Sequence, residues 1–558
     1  MTKGFKLPEN ILVATAWPYA NGSLHVGHIA GCFLPADIFA RYQRMIGNTV
    51  LMISGSDQHG TPITLRAEQE GITPNEIAKT FHNEFLECWK TLGITFDLYT
   101  TTGTNNHESI VHDNFNKLKR KNLIFTEIVN QAYCESCKKF LPDRYVEGQC
   151  PFCSNTQARG DQCDNCGKLL ATEELINSQC KLCTSPCEFR ESTHFFLKLS
   201  HFSSELLKWV DKQEHWRTNV KNFTFQYIKD GLKDRAISRD INWGIKIPVS
   251  GFENKRIYVW FEAVIGYLSA AIEWSKKSNK PEQWKDFWQN PKAKIYNFIG
   301  KDNIPFHTII WPAILLGYEN MNLPYNVVAN EYMNLEKSKL STSNNWAVWI
   351  PDYLKRYETD PLRYYLAATM PETKDSEFSW KDFFARNNNE LVGTLGNFIH
   401  RTLSFTHRQY NGIVPTPGKL NSEDNNVMQL CETTLKKVGD SLNNCHFREA
   451  LRLIFELAQT GNQYLDKKEP WKQIKIDLEN ANTTLWTGFQ IISTLNTLIT
   501  PFLPFSAEKL TEILGINKHT SWIIQTIPGG TKFLKPFPLF KKFDKELIAT
   551  ELDRLKKN

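Results

Sequence analysis

The sequence predicts an α/β protein in which a parallel sheet is split by a cysteine-rich insertion and followed by an α-helical bundle. Three observations predict this fold class: apolar runs separated by a helical pattern in the first 55 residues, cysteine-rich turns after about residue 125, and helical periodicity from about residue 386. A chain of 558 residues exceeds what one hydrophobic core usually fills, so several domains are expected.

The first predicted element is a βαβ unit. Residues 11–16 (ILVATA) and 50–53 (VLMI) are apolar runs typical of parallel strands covered on both faces, and a helical pattern lies between them. Pro35 interrupts that pattern and predicts a kink or two shorter helices. The same sheet is predicted to resume after the insertion, with strands at 256–261 (RIYVWF), 294–300 (KIYNFIG) and 326–329 (NVVA).

The insertion contains four C-x-x-C pairs. They are Cys134 and Cys137, Cys150 and Cys153, Cys163 and Cys166, and Cys180 and Cys183. Two such pairs complete a tetrahedral zinc site of four thiolates, so eight ligands predict two structural zinc ions, with fortuitous thiols as the alternative. Sequential and nested combinations of the pairs both give plausible loops, and the spacing leaves the choice open. Cys187 is left over.

The C-terminal part carries apolar residues at three- and four-residue spacing in segments 425–442 and 447–468, which predicts amphipathic helices of a bundle. The stretch VPTPGKL (414–420) predicts a loop between two of its helices. From Arg386 onward, 22 basic and 17 acidic residues give 22 − 17 = +5 of the net charge of +6. This surplus fits a polyanionic partner, although scattered lysines are more often solvated surface.

A phosphate site is predicted after the first strand, in the stretch PYANGSLHVGHIAG (18–31). A helix that begins between Ser23 and His25 places His25 and His28 in its first turn, at the carboxyl end of the sheet. Unpaired N–H groups and the helix dipole favour an anion there, and Gly27 lets a planar base approach the backbone. The alternative is that both histidines only cap or pack.

A second phosphate candidate is KSKLSTS (337–343), in which Lys339 offers an ammonium group, with Ser341 and Ser343 as short donors. HVGH (25–28) and KLSTS (339–343) resemble the HIGH and KMSKS signatures of the class I aminoacyl-tRNA synthetases. The departures are Val26, Leu340 and Thr342, and the last of these replaces the second lysine of KMSKS, for which the nearby Lys337 offers a substitute.

Within that class the chain is similar to the methionyl-tRNA synthetases, on six blocks in the family's order: WPYANGSLHVGH, GSDQHGTPI, ISRDINWGIKIP, YVWFEAVIGY, GKDNIPFH and KLSTSNNWAVW. The resemblance implies a Rossmann-type catalytic domain and a methionine–tRNA ligase. Such an enzyme uses ATP with Mg²⁺ to convert L-methionine to methionyl-adenylate, and transfers the methionyl group to tRNA(Met). AMP and diphosphate are released.

The resemblance also assigns site residues. It implies His25, His28 and Lys339 for catalysis; His25, Gly27, His28, Lys339, Ser341, Thr342 and Ser343 for ATP; Trp17, Tyr19, Asp57, Trp260 and His307 for methionine; and Asn397, Arg401 and Trp471 for the anticodon. Asp57 is expected to hold the amino group. Without the resemblance, Trp260 and Trp471 would be interpreted as core residues and Arg401 as helix surface. Two-zinc members of the family favour the nested pairing, with Cys150, Cys153, Cys163 and Cys166 inside the outer four.

The expected domains are 1–125 and 236–330 for the two catalytic halves, 126–235 for the zinc insertion, 331–385 for a stem-contact region, and 386–558 for the anticodon-binding bundle. The first ten residues contain no apolar signal segment, and no run of about 18 apolar residues occurs, so we expect a cytoplasmic protein without a membrane partner. A monomer is expected, because the chain ends soon after FDKELIATELDRLKK and leaves no room for an appended dimerisation domain.

Two rival functions remain. One is a class I synthetase for leucine, isoleucine, valine or cysteine; the enzymes for branched aliphatic residues carry a large editing insertion, and the insertion here is short and consists mostly of cysteine turns. The other is a noncatalytic RNA-binding protein with zinc knuckles and a basic bundle, against which the HVGH and KLSTS motifs argue.

Overall fold

A computed structural model describes residues 7–142, 145–160, 163, 165–166, 170, 172–341, 345–517 and 520–557. The strands in chain order are β1 (Asn10–Thr15), β2 (Thr49–Ser56), β3 (Leu98–Thr101), β4 (Ile124–Cys134), β5 (Lys139–Phe140), β6 (Val146–Gln149), β7 (Ala158–Arg159), β8 (Ile176–Cys180), β9 (Glu188–Leu197), β10 (Arg235–Ala236), β11 (Ser238–Arg239), β12 (Arg256–Ile257), β13 (Lys294–Gly300), β14 (Asn326–Asn330), β15 (Met333–Leu335), β16 (Ser338–Lys339) and β17 (Ser376–Phe378).

The α-helices in chain order are α1 (Val26–His28), α2 (Leu34–Met45), α3 (Thr61–Glu70), α4 (Pro74–Leu92), α5 (Asn105–Arg120), α6 (Ser203–Asp211), α7 (Thr218–Lys229), α8 (Val259–Lys277), α9 (Lys285–Trp288), α10 (Trp311–Tyr318), α11 (Ile350–Leu354), α12 (Thr359–Ala368), α13 (Trp380–Arg386), α14 (Asn397–Tyr410), α15 (Ser422–Asn443), α16 (Phe447–Lys468), α17 (Pro470–Gln473), α18 (Leu478–Ile499), α19 (Pro504–Leu514) and α20 (Glu546–Lys557). Among these described residues, no helix is both long enough and apolar enough to cross a membrane.

Strands from both sides of the insertion form one parallel sheet in the order β14-β13-β1-β2-β3. In the central strand, Ile11 pairs with Lys294 of β13 on one side and with Val50 of β2 on the other. Helix α2 packs against one face of the sheet and α8 against the other, which buries the apolar runs on both sides. The prediction of one interrupted parallel sheet is confirmed.

One predicted strand of this sheet is wrong, because residues 256–261 contribute nothing to it and only Arg256–Ile257 form a strand, which pairs antiparallel with β11 in a separate two-stranded sheet. The run 256–261 was expected to be a strand, but β12 ends at Ile257 and the helix α8 begins at Val259. An apolar run of this length fits a buried strand and a buried helix equally well, and α8 is buried along most of its length. Trp260 therefore lies in the first turn of a helix. The runs 294–300 and 326–329 form β13 and β14 as predicted.

The predicted interruption near Pro35 takes the form of a π-helical turn. This turn spans Ile29–Phe33 and connects α1 to α2, and Pro35 lies in the first turn of α2. A proline lacks the N–H group that an interior helix residue donates, and it is tolerated at the start of a helix where that group has no partner. The interruption thus produces two shorter helices, α1 and α2, which is one of the two outcomes that were predicted.

The C-terminal part forms the predicted helix bundle, in which α14, α15, α16 and α18 pack on one another. The segment 411–421 connects α14 to α15 without regular structure, so the predicted loop at 414–420 is confirmed. The three other sheets of more than two strands are β10-β9-β4-β5 and β7-β6-β8 in the insertion, and β16-β15-β17 after the catalytic sheet, within the ranges described above.

The buried Arg217 joins the insertion, the catalytic sheet and the bundle. Its guanidinium group donates hydrogen bonds to the carbonyl oxygens of Ala329 (2.8 Å), Glu372 (2.9 Å) and Cys445 (3.1 Å). Ala329 belongs to the edge strand β14, and Cys445 lies in the turn between α15 and α16. One side chain next to α7 therefore fixes three parts of the chain relative to one another.

Candidate active site

The two histidines lie at the start of α1, at the carboxyl end of β1. His25 is the residue that caps α1, and its Nδ1 accepts a hydrogen bond of 3.1 Å from the N–H of Gly27. The Nδ1 of His28 accepts a hydrogen bond of 3.2 Å from the N–H of His25, and the two rings stack with centroids 3.7 Å apart. Because each Nδ1 accepts, a neutral ring carries its proton on Nε2 and offers that N–H as a donor.

Burial lowers the pKa of both imidazoles. The pKa of His28 falls to about 4, and burial together with the neighbouring His28 lowers the pKa of His25 well below its ordinary value. Both rings are therefore uncharged at neutral pH. They can donate hydrogen bonds to an anion, and a positive charge has to come from another residue.

That charge is available on the hairpin of β15 and β16, which brings Lys339 to the histidine turn. The side chain of Leu340 packs against Gly27 so closely that a Cβ atom at Gly27 would lie 2.7 Å from Leu340 Cδ1. Lys339 is exposed, and its Nζ lies 5.2 Å from the centroid of the Tyr332 ring. The hairpin and the histidine turn thus meet across one cavity.

The cavity has a volume of about 330 Å³ and opens at the carboxyl ends of β1, β13 and β14. Its walls include Trp17, His25, Gly27, His28, Asp302, Tyr332, Met333, Lys339 and Leu340. Ser341 lies next to this wall and pairs with Trp346 through two backbone hydrogen bonds. Thr342 and Ser343, the other predicted ATP ligands, lie outside the described residues.

A second cavity of about 150 Å³ adjoins the first and has aromatic walls. It is lined by Tyr19 and Trp260, whose rings meet edge to face at 5.9 Å, and also by His59, Arg239 and Tyr258. A cavity with aromatic walls on one side and polar groups on the other suits a small ligand that has both a flexible apolar chain and polar groups.

Two predicted methionine ligands, Asp57 and His307, are not among the residues that line this cavity. Asp57 is buried, and its backbone pairs with the segment that contains Tyr19. His307 is also buried; its Nε2 lies 2.7 Å from Tyr267 Oη, and its Nδ1 lies 2.9 Å from the carbonyl oxygen of Asn303. Burial lowers the pKa of His307 to about 4, so this ring is neutral.

Trp17 lies between the first cavity and the sheet, in a slot formed by two glycines. A Cβ atom at Gly55 would lie 2.4 Å from the Trp17 ring, and one at Gly266 would lie 2.8 Å from it. Any side chain at either position would displace the indole. The two glycines therefore hold the Trp17 indole in one position between β2 and α8.

The eight paired cysteines form two groups of four in the nested arrangement. The outer group is Cys134, Cys137, Cys180 and Cys183, and the inner group is Cys150, Cys153, Cys163 and Cys166. Within each group all four sulfur atoms lie within 4.8 Å of one another, so each group could hold a metal ion. Cys187 packs beside the insertion core, and burial raises the pKa of its thiol to about 11.

In the bundle, Arg401 on α14 and Trp471 on α17 lie together on one face. The guanidinium carbon of Arg401 lies 4.6 Å from the centroid of the Trp471 ring, and both residues line a cavity of about 340 Å³. Asn397 lies one helical turn before Arg401, and its Nδ2 is 3.2 Å from Asn462 Oδ1. Phe405 and Arg408 line the same cavity as Arg401.

Comparison with known proteins identifies the family. Residues 11–403 match the family described as "tRNA synthetases class I (M)", and residues 414–556 match the "anticodon binding domain of methionyl tRNA ligase". A methionine–tRNA ligase of Dehalococcoides mccartyi is 50% identical over 98% of this chain and 100% of its own. A methionine–tRNA ligase of Thermomicrobium roseum is 47% identical over 98% of this chain and 99% of its own.

The chain belongs to the methionyl-tRNA synthetase family. Among solved structures, the methionyl-tRNA synthetase of Mycobacterium tuberculosis bound by methionyl-adenylate has the same fold, with a TM-score of 0.79. It is 23% identical to this chain, and the similarity covers 96% of this chain and 100% of that one.

The sequence patterns did not indicate several polar residues that line the two cavities of this methionyl-tRNA synthetase fold. Asp302 and Tyr332 line the first cavity and hydrogen-bond to each other, and His59 lines the second. Asp302 and His59 lie within the quoted blocks GKDNIPFH and GSDQHGTPI. Tyr332 lies three residues after the predicted strand 326–329, at the carboxyl end of the sheet. The position of all three residues just after predicted strands, at the carboxyl edge of the sheet, could have identified them as candidate site residues.

Proposed function

We propose that the chain is a methionine–tRNA ligase of protein biosynthesis, which uses ATP to activate L-methionine and transfers the methionyl group to tRNA(Met). The observation that carries the proposal is the contact between Leu340 and Gly27, because it places the Lys339 ammonium group and the histidine turn around one cavity. The aromatic cavity of Tyr19 and Trp260 adjoins it.

In the first step, a carboxylate oxygen of methionine attacks the α-phosphorus of ATP. The bond from that phosphorus to the oxygen bridging the α- and β-phosphates breaks, which gives methionyl-adenylate and diphosphate. The Nε2–H groups of His25 and His28 donate to phosphate oxygens, and Lys339 supplies positive charge to the developing diphosphate. Mg²⁺ bound to ATP neutralises further phosphate charge. Ser341, Thr342 and Ser343 are further proposed ATP ligands on the strength of the KLSTS motif, and the last two lie outside the described residues.

In the second step, a hydroxyl group of the terminal adenosine of the tRNA attacks the acyl carbon, and AMP leaves. No side chain acts as a nucleophile in either step, so catalysis comes from positioning and charge stabilisation. Tyr19 and Trp260 enclose the methionine side chain, with Trp17 and His307 behind them, and Asp57 holds the ammonium group.

Methionine-dependent exchange of diphosphate into ATP tests this function. We expect exchange with methionine, and at most weak exchange with leucine, isoleucine, valine or cysteine at equal concentration. Purified chain that shows no exchange with methionine, or faster exchange with one of the other four amino acids, would contradict the proposal.

Two structural zinc ions are proposed, one in each cysteine group. A tetrahedral zinc site with bonds of about 2.3 Å requires sulfur atoms roughly 3.8 Å apart. Cys137 and Cys180 are 4.0 Å apart in the outer group, and Cys150 and Cys166 are 3.8 Å apart in the inner group. The residues present therefore fit zinc. Four thiolates leave no open position, so each ion stabilises the fold and takes no part in the reaction.

Removal of zinc is expected to unfold the insertion, because four thiolates of each group cannot stay close without a cation between them. Chelator-treated chain should lose protease resistance between residues 126 and 235, with intact resistance in the bundle as the internal control. Full resistance in chain shown by metal analysis to be zinc-free would contradict a structural role.

The bundle cavity is proposed to take the anticodon, with Asn397 and Arg401 donating to base edges and Trp471 stacking on an unpaired base. Trp471→Ala is expected to raise the KM for tRNA(Met) by about 10-fold or more, because base stacking contributes about 1–3 kcal/mol. Aminoacylation and methionine-dependent diphosphate exchange are measured in parallel.

Exchange does not require tRNA and should stay unchanged in the Trp471 variant. Trp486→Ala is the matched control, since Trp486 lies on α18 and its indole donates to Ile527 within the bundle. An equal rise of the tRNA KM in both variants would indicate general damage to the bundle and would count against the stacking role.

We further propose a division into catalytic halves (1–125 and 236–330), the zinc insertion (126–235), a stem-contact region (331–385) and the anticodon-binding bundle (386–558). The described strands and helices support it, since the parallel sheet draws its strands only from the two catalytic segments. A cytoplasmic monomer is proposed, which places the enzyme with its tRNA and ATP.

A further inference from the structure

Asp57, His59 and Glu262 form a connected group of buried carboxyl and imidazole side chains at the aromatic cavity. The carboxylate of Glu262 is fully buried in the first turn of α8, and both of its oxygens lie close to His59 Nδ1, at 2.9 and 3.0 Å. The backbone N–H of His59 donates a bond of 3.1 Å to Asp57 Oδ1. His59 therefore contacts two carboxyl groups at once, through its ring and through its backbone.

Other side chains surround the group of Asp57, His59 and Glu262. His107 on α5 places its Nε2 3.5 Å from Glu262 Oε2, while its Nδ1 lies 2.8 Å from Ser269 Oγ. The hydroxyl of Thr102 bonds to Asp57. The other charged groups that face the pair are Glu108 on α5, which acts on His59, and Arg239 across the cavity.

The two buried carboxyl groups, Asp57 and Glu262, do not balance in charge without a neighbouring cation. Burial and the neighbouring Glu262 raise the pKa of Asp57 well above its ordinary range, and only His59 and hydrogen bonds oppose that rise. Burial alone would lower the pKa of His59, but the contact with Glu262 and the field of Asp57 outweigh it and raise that pKa. His59 is thus held as an imidazolium below its raised pKa and loses this charge as the pH rises through it.

We propose, on the basis of the proposed function, that His59 and Glu262 are positioning residues for the methionine ammonium group, because the imidazolium held by Glu262 favours the ionised form of Asp57, against its burial, when the ammonium group binds. With His59 charged, Asp57 and Glu262 leave a net charge of −1 in the group. The ammonium group of methionine brings the sum to zero. Deaminated or uncharged analogues leave it unbalanced, so the site selects an amino acid through its charge.

The same bond fixes the pocket wall. Glu262 and Trp260 lie in one helical turn of α8, and the segment that contains His59 is held from the other side by Trp243, whose indole donates a bond of 2.6 Å to the carbonyl of Gln58. The contact between His59 and Glu262 therefore joins the Asp57 segment to the helix that carries an aromatic wall of the cavity.

The test is a charge-balance cycle of three variants: His59→Asn, Glu262→Gln and the double variant. In His59→Asn, the two buried carboxyl groups lose the imidazolium that contacts both of them, so Asp57 takes up a proton more readily and holds the ammonium group less well. The KM for methionine in diphosphate exchange should rise about 10-fold or more, with the KM for ATP and kcat nearly unchanged. Glu262→Gln removes the repelling charge and should stay within about threefold of the unsubstituted chain.

The double variant decides between charge and shape. The double variant lacks both the Glu262 charge that disfavours ionised Asp57 and the His59 charge that favours it, so the methionine KM should return to within about threefold of the Glu262→Gln value. A purely structural role for the His59 ring predicts that the double variant is at least as impaired as His59→Asn. That result would overturn the proposal.

The pH profile is the second measurement. In His59→Asn the KM for methionine should fall more steeply than in the unsubstituted chain as the pH is raised from about 6 to about 8, because Asp57 then loses a proton that the His59 imidazolium otherwise helps to displace. A pH-independent defect would contradict the proposal. Should His59→Asn fail to fold, the methionine KM of the double variant alone decides in the same way. Failure of the proposed function itself is distinct, since the unsubstituted chain would then show no methionine-dependent exchange.

Discussion

Replacing Lys339 with alanine is expected to lower the rate of methionyl-adenylate formation about 100- to 1000-fold, because this ammonium group is the cation that the hairpin brings to the histidine turn. His25 and His28 cannot compensate, since burial keeps both rings neutral. The affinity for methionine should change little, because the aromatic cavity does not include Lys339. Single-turnover formation of adenylate at saturating methionine and ATP measures the effect.

The control is Lys355→Ala, which removes an exposed lysine directly after α11, C-terminal to the KLSTS motif. Its rate should match that of the unsubstituted chain. Equal losses of adenylation rate and methionine affinity in the Lys339 variant would show that Lys339 shapes the site and does not act on the phosphates.

Replacing Arg363 with methionine is expected to lower the free energy of unfolding by about 3–5 kcal/mol, because it removes the buried partner of the Asp37 carboxylate and leaves only Arg41 beside that charge. The side chains of Arg363 and Asp37 are both fully buried, with Nη2 and Oδ2 2.7 Å apart. The guanidinium group also donates to the carbonyl oxygens of Leu92 (3.0 Å) and Phe502 (2.8 Å). Equilibrium unfolding in guanidinium chloride at neutral pH measures the loss.

The pH dependence of this pair has a definite sign. Burial would raise the pKa of Asp37, but Arg41 and Arg363 outweigh it and lower that pKa to about 2. Because the folded pKa lies below the unfolded value of about 3.9, the pair stabilises the fold above that value and loses its effect as the pH falls towards 2. In Arg363→Met this contribution shrinks, so acid unfolding should begin at higher pH.

The matched control for Arg363 is Arg452→Met. Arg452 also bonds to carboxylates, but its side chain is 52% exposed and that of its partner Glu449 is 47% exposed, so its removal should cost less than about 1 kcal/mol. Equal losses in the two variants would contradict the importance of burial for the Asp37 pair.

The elements that sequence could predict are those in which a local pattern has one structural solution. The run 294–300 forms β13 with the predicted bounds, because a short apolar run between polar turns fits a buried parallel strand. The run 256–261 has two solutions, and α8 was decided by the length of the apolar stretch beyond Phe261, which a six-residue window does not include.

The candidate site divides in the same way. HVGH could be placed at a helix start from the strand before it, and the structure places His25 there as the cap of α1. Partners distant in sequence could not be derived from the residues: Leu340 meets Gly27 across 313 positions, and His59 meets Glu262 across 203. The nested cysteine grouping likewise depends on the three-dimensional path of β4 and β8, whereas spacing allowed two combinations.

The hydrogen bonds of Arg217 have a consequence for tRNA selection. They brace the insertion, the sheet edge and the turn between α15 and α16 against one another, so the separation between Trp471 and Lys339 is set by the protein before any RNA binds. A tRNA whose stems were lengthened or shortened by a base pair could present the correct anticodon and still fail to bring its terminal adenosine to the adenylate. The folded chain would then discriminate RNA molecules by their span as well as by their bases.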